Sequence, residues 1–217
     1  MPKTPTSFVK LFFRIFLHPR STFKVILARS LHYGVWAILL IDVFLEFFKV
    51  GSKSGLNLLQ GHSMIFHVFL MLAILGLLYL IFWFTAGIYF VLGKLLGGKG
   101  SCRDMFKVSI WSLPPDLVGK VFVVLAGISV WFRVVGGEEV KLSDFDPTTI
   151  PQYFLRGLGV VMGLWGAVIN VILLSEGQKF SIIKAVSINF ILWGILLGLS
   201  MLTGETFLGS LKELLSY

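Results

Sequence analysis

Hydrophobic residues form 56% of this 217-residue chain and charged residues only 14%, with mean hydropathy +0.89. Soluble domains carry about 25% charged residues, so polar groups cannot cover this chain and the medium around most of it is lipid. The net charge of +8, from 19 basic and 11 acidic residues, sits in the flanks of apolar stretches; that placement fits anionic lipid headgroups and excludes nucleic acid as a partner.

Ser7 to Leu17, SFVKLFFRIFL, is too short to span a bilayer. Lys10 and Arg14 lie four apart on one helical face with Phe and Leu on the others, which reads as an amphipathic helix lying at the membrane interface. His18-Pro19 ends it, and Ser21 caps a second short helix, Thr22 to Ser30, carrying Lys24 and Arg29. The first span is expected at about 32–50, with Tyr33 and Trp36 as interface aromatics and Asp42 and Glu46 inside it. A polar loop follows, and then no Lys, Arg, Asp or Glu occurs from Gly55 to Gly93. The second span, about 62–96, would reach roughly 50 Å against a bilayer core of about 30 Å, so it must tilt, kink near Gly76 or Gly87, or protrude.

Gly93 to Pro115, GKLLGGKGSCRDMFKVSIWSLPP, interrupts the apolar chain with Lys94, Lys99, Arg103 and Lys107. A second amphipathic interfacial helix is expected to start there at Ser101 or Asp104 and end at Ser112, before Pro114-Pro115. The third span, about 116–135, is capped by Asp116, and an acidic loop over 136–151 leads to spans at about 152–174 and 182–203, joined by the turn SEGQKFS. Lys and Arg concentrate before the first span, in 93–115 and in that turn, which by the positive-inside rule puts the N-terminus in the cytoplasm and the C-terminus outside. The expected fold is therefore all-α, a single membrane domain over 1–217 with five transmembrane helices and two amphipathic interfacial helices. Residues 1–31 form its cytoplasmic interfacial region.

Charges at membrane depth cost about 2.5–3.5 kcal/mol each, so Asp42 and Glu46 are the first candidates for a functional site. They share a helical face and repel unless one is protonated or a cation lies between them. His67 and Arg156 lie at comparable depth from the outer side, which suggests a polar cluster of Asp42, Glu46, His67 and Arg156. Such a cluster serves either as a proton or cation site or as an ion-pair network holding the bundle together. Lys120 has Asp116 four residues before it, a favourable helical pair, and can reach the headgroups. Asn170 and Asn189 are placed to bond between adjacent helices, and Gly159-x3-Gly163 with Gly194-x3-Gly198 suggests a tight hairpin of the last two spans. Cys102 is the sole cysteine, so no internal disulfide is possible. No Walker, dinucleotide, GxSxG or HExxH pattern is present, so no catalytic residue, cofactor or metal site is assigned and the chain is not read as an enzyme.

The order of motifs resembles the Yip (Ypt-interacting protein) family. An amphipathic start with LHPRSTF precedes the first span, GGKGSCRD and VSIWSLPP follow the second, and SIIKAVSINF opens the last. Gly97, Gly98, Arg103 and Pro114 fall on the central motif of that resemblance, which covers nearly the whole chain. It implies a five-span multi-pass protein and a non-catalytic membrane organiser or adaptor for a protein partner; eukaryotic members bind prenylated Rab-type GTPases. The compact region before the first span resembles prokaryotic members, which implies a prokaryotic cytoplasmic (inner) membrane, a protein partner or homo-oligomer, and no cofactor. The alternative is a small proton- or cation-linked transporter or permease subunit using the intramembrane carboxylates.

Overall fold

The computed structural model describes residues 7–51, 64–126 and 149–202, and its regular structure there is entirely helical. In chain order the helices are α1 (Phe8–Leu17), α2 (Pro19–Leu27), α3 (Val35–Gly51), α4 (Met64–Leu95), α5 (Cys102–Trp111), α6 (Pro114–Ala126), α7 (Ile150–Gln178) and α8 (Ile182–Leu202). Three stretches among the described residues are long and apolar enough to cross a membrane: Val68–Leu95, Cys102–Ala126 and Ile150–Gln178. Ile182–Ile195 is a shorter apolar helical stretch. The expected third span beyond residue 126, the loop at 136–148 and the tail from 203 lie outside the described residues.

Local chemistry sets the helix ends. Ser7 Oγ accepts from the Lys10 backbone N–H at 3.3 Å and opens α1, while Pro19 stands in the first turn of α2, where its missing N–H costs nothing. α4 runs helical through Gly76 and Gly87 for 32 residues, about 48 Å. It stops where Gly97 takes φ +82°, and the Gly98 N–H returns to the Gly93 carbonyl at 2.7 Å, a Schellman closure. Ser101 and Asp104 form a reciprocal capping box that starts α5.

The bundle is built around α5. Every residue from Met105 to Trp111 is buried, so this helix lies in the core rather than along a membrane surface as its sequence suggested. Phe106 stacks on Trp83 of α4 at 4.4 Å between ring centroids, and Trp111 meets Phe8 of α1 at 5.7 Å and Tyr33 at 6.4 Å. The expected polar face was Arg103 with Lys107, four residues apart; Arg103 is exposed and Lys107 is buried. Its side chain turns instead onto the end of α2, where Nζ donates to the carbonyls of Arg29 at 2.7 Å, Leu27 at 2.9 Å and Ile26 at 3.3 Å. The ammonium so spends its three donors on carbonyls at and just beyond a helix C-terminus, where a cation is also favoured by the helix dipole. α1 is docked likewise: Leu11 and Ile15 are fully buried, and Phe12 and Phe16 pack on the core.

Glycine permits the closest helix approach, but not where the hairpin was expected. A Cβ on Gly119 of α6 would lie 2.9 Å from the Gly159 carbonyl of α7, while one on Gly163, Gly194 or Gly198 would meet nothing within 4 Å. The tight crossing therefore joins α6 to α7. Gly119→Val should cost about 1–3 kcal/mol in thermal unfolding in detergent, the range for overpacking a filled contact, whereas Gly163→Ala should be neutral or slightly stabilising. α8 is held by a polar node instead. Tyr89 Oη on α4 lies 3.3 Å from Asn170 Oδ1 and 3.4 Å from Asn189 Oδ1, and Asn170 Nδ2 donates to Ser112 Oγ at 3.1 Å. Asn170 and Asn189 thus do link their helices, through a tyrosine from a third.

Candidate functional site

Asp42 and Glu46 stand one turn apart on α3, and Asp116 and Lys120 one turn apart on the neighbouring α6. Lys120 Nζ lies 2.6 Å from Asp42 Oδ1, 2.7 Å from Glu46 Oε1 and 3.4 Å from Asp116 Oδ2. The Asp42 side chain is 5% exposed, that of Lys120 16%, that of Glu46 32% and that of Asp116 43%. The cluster therefore has a dry inner end at Asp42 and opens towards Glu46 along one helix and Asp116 along the other. An ammonium carries three donors, and three carboxylates surround this one. Charge-assisted bonds below 2.8 Å in a low-dielectric setting tie α3 firmly to α6.

Lys120 is thus the cation that the spacing of Asp42 and Glu46 demanded. The sequence offered it only its own-helix partner Asp116, which is the longest of the three contacts. Its side chain turns inward to α3 rather than out to headgroups. Arg156 is half-buried near the start of α7, the helix packed on α6. His67 falls on the first turns of α4, but its side chain lies outside the described residues.

The glycines of the motif belong to a second centre, built where the end of α4 meets the α7–α8 turn. Its hub is Gln178, the last residue of α7, which is fully buried. Its Nε2 donates to the Tyr89 carbonyl at 3.0 Å, its Oε1 accepts from the Gly100 N–H at 3.1 Å, and its own carbonyl accepts from the Lys99 N–H at 2.8 Å. Gly93, Gly98 and Gly100 form the cradle. A Cβ on Gly93 or Gly98 would run into the Gln178 amide, and one on Gly100 would lie 2.5 Å from the Gly177 carbonyl. Lys184 closes the assembly by donating to the Leu96 carbonyl at 2.7 Å, just past the end of α4.

Gly97 and Gly98 of the motif therefore shape the α4 terminus, and Pro114 is buried at the start of α6. Arg103 is exposed on the first turn of α5. Gln178 and the inward role of Lys107 were missed from the sequence. The available signal was the glycine spacing at 93, 98 and 100, which marks a backbone that something must approach closely. What approaches it, from 78 residues away, is not a local property.

Neither a curated protein nor a solved structure matches the chain. The family model described as the Yip1 domain matches residues 13–203, from the middle of α1 to the end of α8. That match takes in both centres and all but the first turn of the helical framework, and the chain belongs to the Yip1 domain family.

Proposed function

We propose that this Yip1-family membrane protein is a non-catalytic organiser or adaptor that shapes its own leaflet. In this reading it crosses a cytoplasmic membrane five times, with its N-terminus and the α4–α5 loop in the cytoplasm, and its partners are the bilayer and a protein or a second copy of itself. The observation that carries the reading is the division of α1 into two faces. One face, with Leu11 and Ile15, is anchored in the core, and the other presents Val9 at 60% and Phe13 at 62% exposure beside the exposed Lys10 and Arg14. An anchored amphipathic helix whose free side is apolar with cationic flanks inserts as a wedge at the headgroup boundary. The lysine-filled carboxylate cluster supports a structural rather than a transporting role for Asp42 and Glu46.

Val9 and Phe13 are the wedge residues, whereas Phe12 and Phe16 pack on the core. Val9→Ser with Phe13→Ser should leave the fold and thermal stability unchanged. Each exposed apolar side chain contributes about 1.5–3 kcal/mol when buried in lipid, so remodelling of anionic vesicles should fall by about tenfold or more at fixed protein-to-lipid ratio. Electron microscopy of vesicles with reconstituted protein measures this. Unchanged remodelling, or proton-driven flux in the same vesicles that Glu46→Gln abolishes, would overturn the reading in favour of transport.

A further inference from the structure

One side of α7 carries Val161, Leu164, Trp165 and Val168, which with Phe16 and Leu17 at the end of α1 line an open apolar groove of about 540 Å³. Trp165 and Leu17 both face outward, at 40% and 80% exposure. Glu176 stands eleven residues beyond Trp165, close to three full turns, so it projects from the same side of α7 about 16 Å further along. There α2 brings in two cations: Arg20 Nε lies 3.5 Å from Glu176 and Lys24 Nζ 3.7 Å, with side chains 55% and 69% exposed. One carboxylate cannot neutralise both, so the head of the groove carries surplus positive charge facing outward.

At 1.5 Å per residue Val168 lies about 12 Å and Val161 about 22 Å from Glu176, so an apolar slot at that depth below a cationic rim takes in the inner part of one leaflet, which is about 20 Å from headgroup to midplane. The positive rim selects the sign of the headgroup. We propose that the groove between α1 and α7 is a binding site for an anionic phospholipid of the surrounding leaflet, with one acyl chain along Val161–Val168 and the headgroup phosphate on Arg20 and Lys24. The site rests on the membrane placement above but not on remodelling, and it would give the wedge helix a lipid-dependent seat.

Trp165 is a built-in reporter. The full chain in planar nanodiscs, where no curvature is generated, is titrated with brominated phosphatidylglycerol or brominated phosphatidylcholine. Quenching assigned to Trp165 is the difference between the wild type and Trp165→Phe. Phosphatidylglycerol should quench that component at a mole fraction about fivefold lower, the preference contributed by roughly one cation near the surface. Arg20→Gln with Lys24→Gln should abolish the preference. Glu176→Gln, which removes the competing carboxylate and keeps both cations, should increase it. Equal quenching by the two lipids, or a preference lowered by Glu176→Gln, overturns the proposal. So does absence of Trp165 quenching together with disulfide dimers of Leu164→Cys, which would place a second copy in the groove.

Discussion

Replacing Lys120 with Met should lower the midpoint of thermal unfolding in detergent by about 6–20 °C. The change leaves Asp42 buried beside Glu46 with its nearest cation gone, and stripping one partner from a buried ion pair costs about 3–5 kcal/mol. At this chain length each kcal/mol moves the midpoint by roughly 2–4 °C. The triple change Asp42→Asn, Glu46→Gln, Lys120→Met removes the charges together and should recover most of the loss, because a neutral, well-packed replacement of a buried ionic group is often close to neutral in stability. The pattern separates two roles for the cluster. A network that ties α3 to α6 gives a severe single variant and a mild triple one. A working ion site would give a triple variant that is stable and inactive in flux, with the single variant far less destabilised.

Apolar runs were legible because lipid exposure makes them long, and the terminators Gly97-Gly98 and Pro114-Pro115 could be read residue by residue. The need for a cation near Asp42 and Glu46 was legible too, since two carboxylates on one face repel at any distance from other helices. The helix that supplies it was not. A chain shows only its own i,i+4 pairs, and the pair it showed, Asp116 with Lys120, is the weakest of the three contacts. The same limit hid the burial of α5. A lysine four residues after Arg103 looks like a solvent-facing residue, yet the carbonyls at the end of α2 offer Lys107 acceptors much as water would. Small residues misled in the opposite sense. Gly194 and Gly198 carry the spacing that favours close helix pairs and face open space, whereas Gly119, with no such partner on its own helix, makes the tight crossing with Gly159.

The Gln178 cradle is where sequence motif and packing meet, and it gives the second large effect. Gln178→Ala leaves the buried Gly100 N–H without its partner, at about 1–3 kcal/mol, and strips a second contact from the Tyr89 carbonyl, which lies inside α4 and keeps its helical bond. Gly93→Ala acts from the other side, forcing a methyl into the space the glutamine amide fills, at about 1–3 kcal/mol for overpacking. Made separately, each should lower the unfolding midpoint by several degrees, and together they should lower it by less than their sum. Once the amide is gone, the new methyl occupies vacated volume instead of competing for it. A coupling of about 1–2 kcal/mol in the double-mutant cycle is the expected size for side chains in direct contact. Strict additivity would mean that Gly93 is needed for its backbone freedom alone, and that the glycine motif and the end of α7 contribute to the fold independently. Sub-additivity would place the spacing of Gly93, Gly98 and Gly100 and the burial of Gln178 in one device, which locks the end of α4 to the α7–α8 turn and fixes the floor on which α5 sits.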